Sequence, residues 1–399
     1  MNAADVARNE SFWFQIQQAF DVDRSIINLN NGGVHPAPRV VMQAVKRYLD
    51  FANGCPTYNM WEVLRPRKEL VRKEIADTFG CSPEEIAITR NVTESLQTAL
   101  LGIPLQSGDE ILTTAHDYPS MKSALRQRER RDGIRVRMFS YHCPPGSLKV
   151  LADLFERNVT ERTRLILVSH ITFTTGQIFP VRQVCQMARE KSINVVVDGA
   201  HAFGQFDYKQ RDLDCDIYGA NLHKWMMAPI GTGFLYVRKD KIKDIWPLFP
   251  ARDPLGDDIK KFEHMGTRPE YLECAIGEAI AFHHGIGAKN KEERLRYLRE
   301  YWARQLEKLP EVRILTPYEA GQSCGIGTFT IEGVEMKRLS EVLFEKHGIH
   351  TATVSFPGVD PEAESVSGIR VTPSIYTTLR ELDLFVEAVS DCVKKGLPN

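Results

Sequence analysis

The sequence predicts an α/β protein: a mostly parallel central sheet with helices on both faces, followed by a smaller α+β domain at the C-terminal end. Three observations predict it. Residues 110–115, 164–170 and 194–198 are short runs that are apolar without alternation, which suits strands buried on both faces. Residues 180–191, between the last two runs, open on proline and space Val181, Val184, Met187 and Ala188 as one helix face, completing a βαβ unit. From about residue 270 the pattern changes to long helical periodicities separated by short strands.

Each element has its local reason. The run 110–115 is opened by the turn signal Ser107, Gly108 and Asp109. Residues 231–237 read as a further buried strand and 239–244 as its polar exit. Beyond them, helices are predicted at 273–284, 292–309, 339–347 and 379–395, with strands at 327–331 and 368–372. The expected division is a large domain over residues 26–270 and a small one over 271–399, with residues 1–25 packing on the small domain.

Composition narrows the function. A chain of 399 residues with 43% hydrophobic and 26% charged residues has the balance of a globular protein with a sizeable core. Its formal net charge of −1 argues against nucleic acid or a membrane surface as partner. The start, MNAADVARNESFWF, has no basic stretch followed by an apolar core, so no secretory signal is predicted. No apolar run approaches the length of about 20 residues that spans a bilayer. The eight cysteines form no C-x-x-C pair, which points to reduced thiols in the cytoplasm rather than a disulfide framework or a zinc site.

Three motifs carry chemistry. The strand at 194–198 ends on Asp198, followed by Gly199, Ala200 and His201, and ligands of open α/β sheets bind beyond the carboxyl ends of strands. Lys224 follows 26 residues later in NLHKW, where Trp225, Met226 and Met227 supply the apolar wall that a lysine needs to stay partly neutral and attack a carbonyl. In RNVTESL, Asn91 with Glu94 forms a cap at a helix start, whose free N–H groups and positive dipole end suit a phosphate. Carboxylate, lysine and phosphate turn together fit pyridoxal 5'-phosphate. No G-x-G-x-x-G or G-x-x-x-x-G-K-[ST] stands in the context a nicotinamide cofactor or a nucleoside triphosphate requires.

With these residues in place, the chain resembles the fold-type I pyridoxal-phosphate enzymes of aminotransferase class V, and among them the isopenicillin N epimerase-like branch. The likeness runs from LNNGGVHPAPR at 29–39 to IRVTP at 369–373. It implies Lys224 as the lysine of the cofactor aldimine and Asp198 as partner of the pyridine nitrogen. It further implies His201 beside the phenolic oxygen, Val92, Thr93 and Glu94 as the phosphate turn, and His223 next to the phosphate. In TAHDY the family lays a side chain flat on the ring, and His116 and Tyr118 are both candidates for that place. Gly266 and Thr267 match a loop that reaches a neighbouring subunit's phosphate, which implies a homodimer with shared active sites. Arg370 matches the arginine that binds the carboxylate of an amino-acid substrate. Asn30, Asn31, Gly32 and Gly33 match the mouth of the substrate site.

One departure bears on activity. Related cysteine desulfurases carry a nucleophilic cysteine shortly before the substrate arginine, whereas TATVSFPGV at 351–359 has none, and Cys324 upstream reads as a small core residue. Chemistry at Cα, by epimerisation or transamination, is therefore expected, with a C–S lyase like the hercynylcysteine sulfoxide lyases as the alternative. A non-catalytic protein on the same fold is disfavoured by the joint presence of lysine, aspartate and arginine.

Overall fold

The computed structural model describes residues 2–359 and 365–397. In strand order along the chain, β1 (Ile86–Thr89), β2 (Glu110–Thr114), β3 (Arg135–Phe139), β4 (Thr163–Ser169), β5 (Asn194–Asp198), β6 (Ile217–Asn221) and β7 (Gly233–Val237) form one sheet. Across the sheet their order is β1-β7-β6-β5-β4-β2-β3. The ladders from β3 to β6 are parallel, and β7 runs antiparallel to both β6 and β1. The strands β2, β4, β5 and β6 therefore all end at one edge, and the double reversal through β7 brings the end of β1 to that edge too.

Alternate residues of these strands feed two separate cores. Ile166, Val168, Val195, Val197, Tyr218 and Phe234 face one way, against Val71, Ile75 and Phe79 of the helix Arg65–Phe79 and Val184 and Ala188 of the helix Val181–Glu190. Leu165, Leu167, Val196, Ile217 and Leu235 face the other way, against Leu96, Ala99 and Leu100 of the helix Val92–Gly102 and Leu125 of the helix Pro119–Asp132. Both faces are apolar, which is why the strands lack alternation in sequence.

The strand β3 escapes that rule. It is the edge strand, its Arg135, Met138 and, in part, Val136 reach solvent, and charged residues at 135 and 137 hide it from a hydropathy reading. The strand β1, at the opposite edge, is buried but only four residues long. The polar exit expected at 239–244 is a 3₁₀ helix, Lys239–Asp244.

A second sheet contains β8 (Val312–Ile314), β9 (Gly327–Ile331), β10 (Ala352–Phe356) and β11 (Val366–Val371), all antiparallel in the order β10-β11-β9-β8. Helices Ala288–Leu306, Met336–His347 and Leu379–Lys395 cover it around Leu298, Trp302, Phe329, Leu339 and Phe385. The helix predicted at 379–395 has those bounds, fixed by a capping box between Thr378 and Glu381. The strand β10 lies between the helix predicted at 339–347 and the strand predicted at 368–372, and its outward Thr353 and Ser355 are polar, which hides it from a hydropathy reading.

Near the start of the chain, Trp13 is fully buried and Arg294 donates to the carbonyl of Ala7 at 2.9 Å and to Glu10 at 2.5 Å. Ile27–Asn28 pairs with Ile349–His350, and Asn30 bridges to Thr372, so the segment after residue 28 is laid along β11.

Gly233 sets how closely β7 approaches the start of the helix Val92–Gly102. A Cβ there would lie 2.7 Å from the Ala220 carbonyl oxygen and 2.8 Å from the Asn91 Cα, both backbone atoms with little freedom to yield. Gly233→Ala is expected to lower stability by about 1–3 kcal/mol, the usual cost of overpacking. The measurement is a lower urea midpoint at unchanged slope.

Candidate active site

The carboxyl edge of the large sheet opens into a cavity of about 330 Å³. The strand β5 delivers Asp198 to its floor, β4 delivers Ser169, and β6 delivers Asn221, followed by His223 and Lys224. Small residues let this happen. Gly199 could not carry a side chain, since its Cβ would fall 1.9 Å from the Tyr218 ring.

Lys224 is half-buried, and its Nζ lies 3.0 Å from His201 Nε2. Burial, and then the nearby Arg370 guanidinium, push the amine down to about 7, against the opposing pull of Asp198. His201 is buried and its pKa is driven well below the usual imidazole range by desolvation. A neutral ring accepts the amine's hydrogen at Nε2, and its Nδ1 then has no partner among the described residues. Asp198 is also buried, and its carboxylate receives one hydrogen bond among the described residues, from the Ala200 N–H at 2.9 Å. Burial raises it to about 6, with Asp117 adding to the rise. A desolvated base and a desolvated, under-paired acid thus share one cavity.

Asp117 was not singled out by the sequence reading. It accepts from Thr113 at 2.6 Å, from both the N–H and hydroxyl of Thr114 at 2.9 and 2.8 Å, and from Ser169 at 2.5 Å. It ties the end of β2 to the end of β4 behind the cavity. Ser169 closes an apolar run whose strand-end position was legible, whereas Asp117 gave no signal.

The phosphate turn expected at Val92, Thr93 and Glu94 is partly engaged from within. The Val92 N–H donates to Asn221 at 2.8 Å, and the Glu94 N–H to the Asn91 cap at 2.9 Å. The Glu94 carboxylate turns away to the Arg90 N–H at 2.7 Å and is absent from the cavity wall. Asn91, Val92 and Thr93 do line it. His223 lines it as well, with Nδ1–H donated to the Thr232 carbonyl at 2.9 Å.

Of the two ring candidates, Tyr118 lines the cavity, edge-on to Phe173 with centroids 5.1 Å apart. His116 does not; it is packed between Tyr141 at 4.1 Å and Phe356 at 5.2 Å. Burial pushes it down to about 4, and neither ring nitrogen has a partner among the described residues.

Arg370, on β11, donates to the Phe173 carbonyl at 3.0 Å and to Asn30 Oδ1 at 2.8 Å, while its Nε has no partner among the described residues. Desolvation lowers it to about 10, so it stays charged at neutral pH. Gly33 forms part of the wall. Asn31 and Gly32 serve the frame instead: Asn31 is fully buried and donates to the carbonyls of Asn28 and Thr372, each at 2.9 Å. The Gly32 N–H donates to the Thr372 hydroxyl at 2.9 Å. Gly266 and Thr267 are exposed and outside this cavity.

The residues present fit pyridoxal phosphate on the chain's own terms. Asp198 lacks a cationic partner of its own, Lys224 offers a near-neutral amine, and a capped helix start stands across the cavity. A lysine amine, a buried carboxylate and a capped helix start around one cavity, at the carboxyl edge of a mostly parallel sheet, suit a pyridoxal-phosphate enzyme of the fold-type I class. More narrowly, the chain belongs to the class V aminotransferases: the family described as Aminotransferase class-V matches residues 27–385. It is 29% identical to an isopenicillin N epimerase of Streptomyces clavuligerus, over 94% of this chain and 97% of that protein. It is 23% identical to a hercynylcysteine sulfoxide lyase of Schizosaccharomyces pombe, over 72% of this chain and 75% of that one. The solved structure of a C-DES mutant with glycine covalently linked to its pyridoxal-phosphate cofactor superposes with a TM-score of 0.81 at 24% identity, over 94% of this chain and 99% of that one.

In the cofactor-free protein, Lys224 is expected to titrate at about 7, three to four units below an exposed lysine. Reductive ¹³C-methylation followed by a pH series of NMR spectra reads the midpoint directly, with Lys224→Ala identifying the signal. A midpoint near 10 would contradict the burial argument.

Proposed function

We propose that the protein acts at Cα of an amino-acid substrate, with Lys224 as the amine that bonds pyridoxal phosphate and as the base at Cα. The observation that carries this reading is Lys224 Nζ at 3.0 Å from a neutral His201, in one cavity with Asp198 and within the field of Arg370. When bound, the cofactor supplies an aldehyde that captures amines and a pyridine ring that withdraws electrons from Cα. Asp198 holds the proton on the ring nitrogen, because a cation placed against a lone buried carboxylate relieves its desolvation. Lys224, near neutrality, takes the Cα proton and can return one to the same carbon. His201 Nε2 orients that amine. Arg370 binds the substrate carboxylate with Asn30 steadying its fork, and Tyr118 with Phe173 walls the substrate side. Thr93, Asn91 and His223 face the phosphate.

Return of a proton to Cα on the face opposite its removal is the step of an epimerase, the first reading, in keeping with the likeness to isopenicillin N epimerases; a transaminase would instead leave Cα without that proton. A C–S lyase acting on a sulfur-bearing amino acid is the second reading. The observation that favours it is that no cysteine among the described residues lines the cavity: the nearest candidate in sequence, Cys324, is fully buried and pushed up to about 11 by desolvation. Loss of a sulfur group from the substrate's side chain after removal of the Cα proton needs no protein thiol, whereas persulfide transfer does. The eight unpaired thiols suit a reducing, cytoplasmic setting. Among the described residues no helix is long and apolar enough to cross a membrane.

We also propose a homodimer in which the loop with Gly266 and Thr267 serves the partner's site. The loop springs from a rigid base: Arg268 donates to the Ile88 carbonyl at 2.9 Å and pairs with Glu273, while Glu263 accepts from the Ile88 N–H at 2.7 Å. Gly266 holds φ +82°, a conformation that glycine adopts freely.

Separate measurements test the cofactor lysine, the reaction class, the substrate arginine and the dimer. Borohydride treatment of the yellow protein should leave the reduced cofactor's mass on the peptide containing Lys224, and Lys224→Ala should abolish both label and activity. In D₂O, a panel of amino acids should show exchange at Cα, with retained, inverted or eliminated product separating the two readings. Arg370→Met should raise KM by roughly 10- to 100-fold, the loss of a charge-assisted pair. A protein that takes up no cofactor sinks the proposal. For the dimer, sedimentation equilibrium should return twice the chain mass of 45.3 kDa, and a single-chain mass refutes it.

A further inference from the structure

Behind the Lys224 turn stands a second buried lysine that the chemistry above does not use. Lys291 belongs to the helix Ala288–Leu306, is 1% exposed, and donates from Nζ to the main-chain carbonyl of Trp225. The titratable groups that face it are the Cys324 thiol and the imidazoles of His35 and His283, and no carboxylate is among them. Lysines are rarely buried without a counter-charge, since desolvation of the ammonium is costly. Burial accordingly pushes Lys291 down to about 7. Neutral and charged amines both donate N–H, so the bond to the carbonyl persists through that titration.

The carbonyl it holds belongs to the residue after Lys224. This turn is closed by the Met227 N–H donating to the Lys224 carbonyl at 2.9 Å, and Met227 adopts φ +62°, a region that a side-chain-bearing residue enters only when its surroundings enforce it. Two glycines cage the turn from other sides. A Cβ on Gly325 would come within 3.3 Å of the Trp225 ring, and one on Gly204 within 2.8 Å of the Met226 nitrogen. Ring and amide are thus fixed by packing, and the carbonyl between them by Lys291.

We infer that Lys291 is a positioning residue: its bond to the Trp225 carbonyl holds the Lys224–Met227 turn in the conformation that aims Lys224 at His201 and the cavity. This rests on Lys224 being the cofactor-bonding amine. The test uses the holoenzyme with Lys291→Met, which keeps the side chain's length and removes the donor, and Lys291→Arg, which keeps a donor. Lys291→Met is expected to lower kcat by roughly 10- to 100-fold, as a displacement of about 1 Å at a reacting group does, while KM stays within about threefold. The pH midpoint of the bound cofactor's visible band should move with it, a change that lost stability alone does not cause. Lys291→Arg should restore most of both.

Unchanged kcat and midpoint in Lys291→Met overturn the inference. So does a kcat deficit that vanishes when the assay is cooled by the loss in Tm. If Lys291→Met does not fold, Lys291→Gln, polar but too short to reach the Trp225 carbonyl as the lysine does, takes its place: the same kcat loss and band shift support the inference, and wild-type values overturn it. If Lys224→Ala retains the visible band and the borohydride label, the reading of Lys224 falls instead, which is a separate outcome.

Discussion

Covering both faces of the large sheet is the constraint on which the rest of this molecule depends. With Ile166 and Val168 sealed on one side and Leu165 and Leu167 on the other, polar groups have only the ends of the strands at which to meet a ligand. The parallel run from β2 to β6 sends the carboxyl ends of its inner strands to one edge. The antiparallel β7 returns β1 to that same edge, so the cap at Asn91 stands opposite Asp198 and Lys224. A fully parallel arrangement would not bring β7's first residues, Gly233 and its neighbour Thr232, against His223 and Asn91.

At that edge, desolvation does the chemical tuning. Asp198 rises and Lys224 falls for the same reason, removal from water, although each in part offsets the other's shift. Their separation in role follows from their neighbours. Lys224 feels a guanidinium, which favours the free amine, whereas Asp198 meets one amide and the field of Asp117. Asp117 itself accepts from Thr113, Thr114 and Ser169, which fix its carboxyl group in place behind the floor.

The second sheet and the helices on it supply what the large sheet cannot. Arg370 arrives from β11 and is locked by the Phe173 carbonyl on one side and Asn30 on the other, so three distant parts of the chain meet at one guanidinium. Lys291 reaches from the helix Ala288–Leu306 to the turn that carries Lys224. The second sheet and the helix Ala288–Leu306 are therefore joined through these contacts to the carboxyl edge of the large sheet.

What the sequence by itself determined is whatever follows from local pattern. The buried strands at 164–170 and 194–198, the capped helix at 379–395, the strand-end Asp198 and the lysine among apolar neighbours were all readable, because period, caps and strand ends are properties of short stretches. The edge strand β3 and the strand β10 were not, since exposed strands lose the apolar signature. Only the tertiary structure decided that Tyr118 faces the cavity while His116 is walled in by Tyr141 and Phe356, two residues apart on one turn. It also decided that Gly33 lines the wall while Asn31 and Gly32 brace it, and that Asp117 and Lys291 stand behind the site. The reason is physical: which side of a turn a residue occupies, and what lies behind it, depend on packing partners tens to hundreds of positions away, and local pattern carries no information about them.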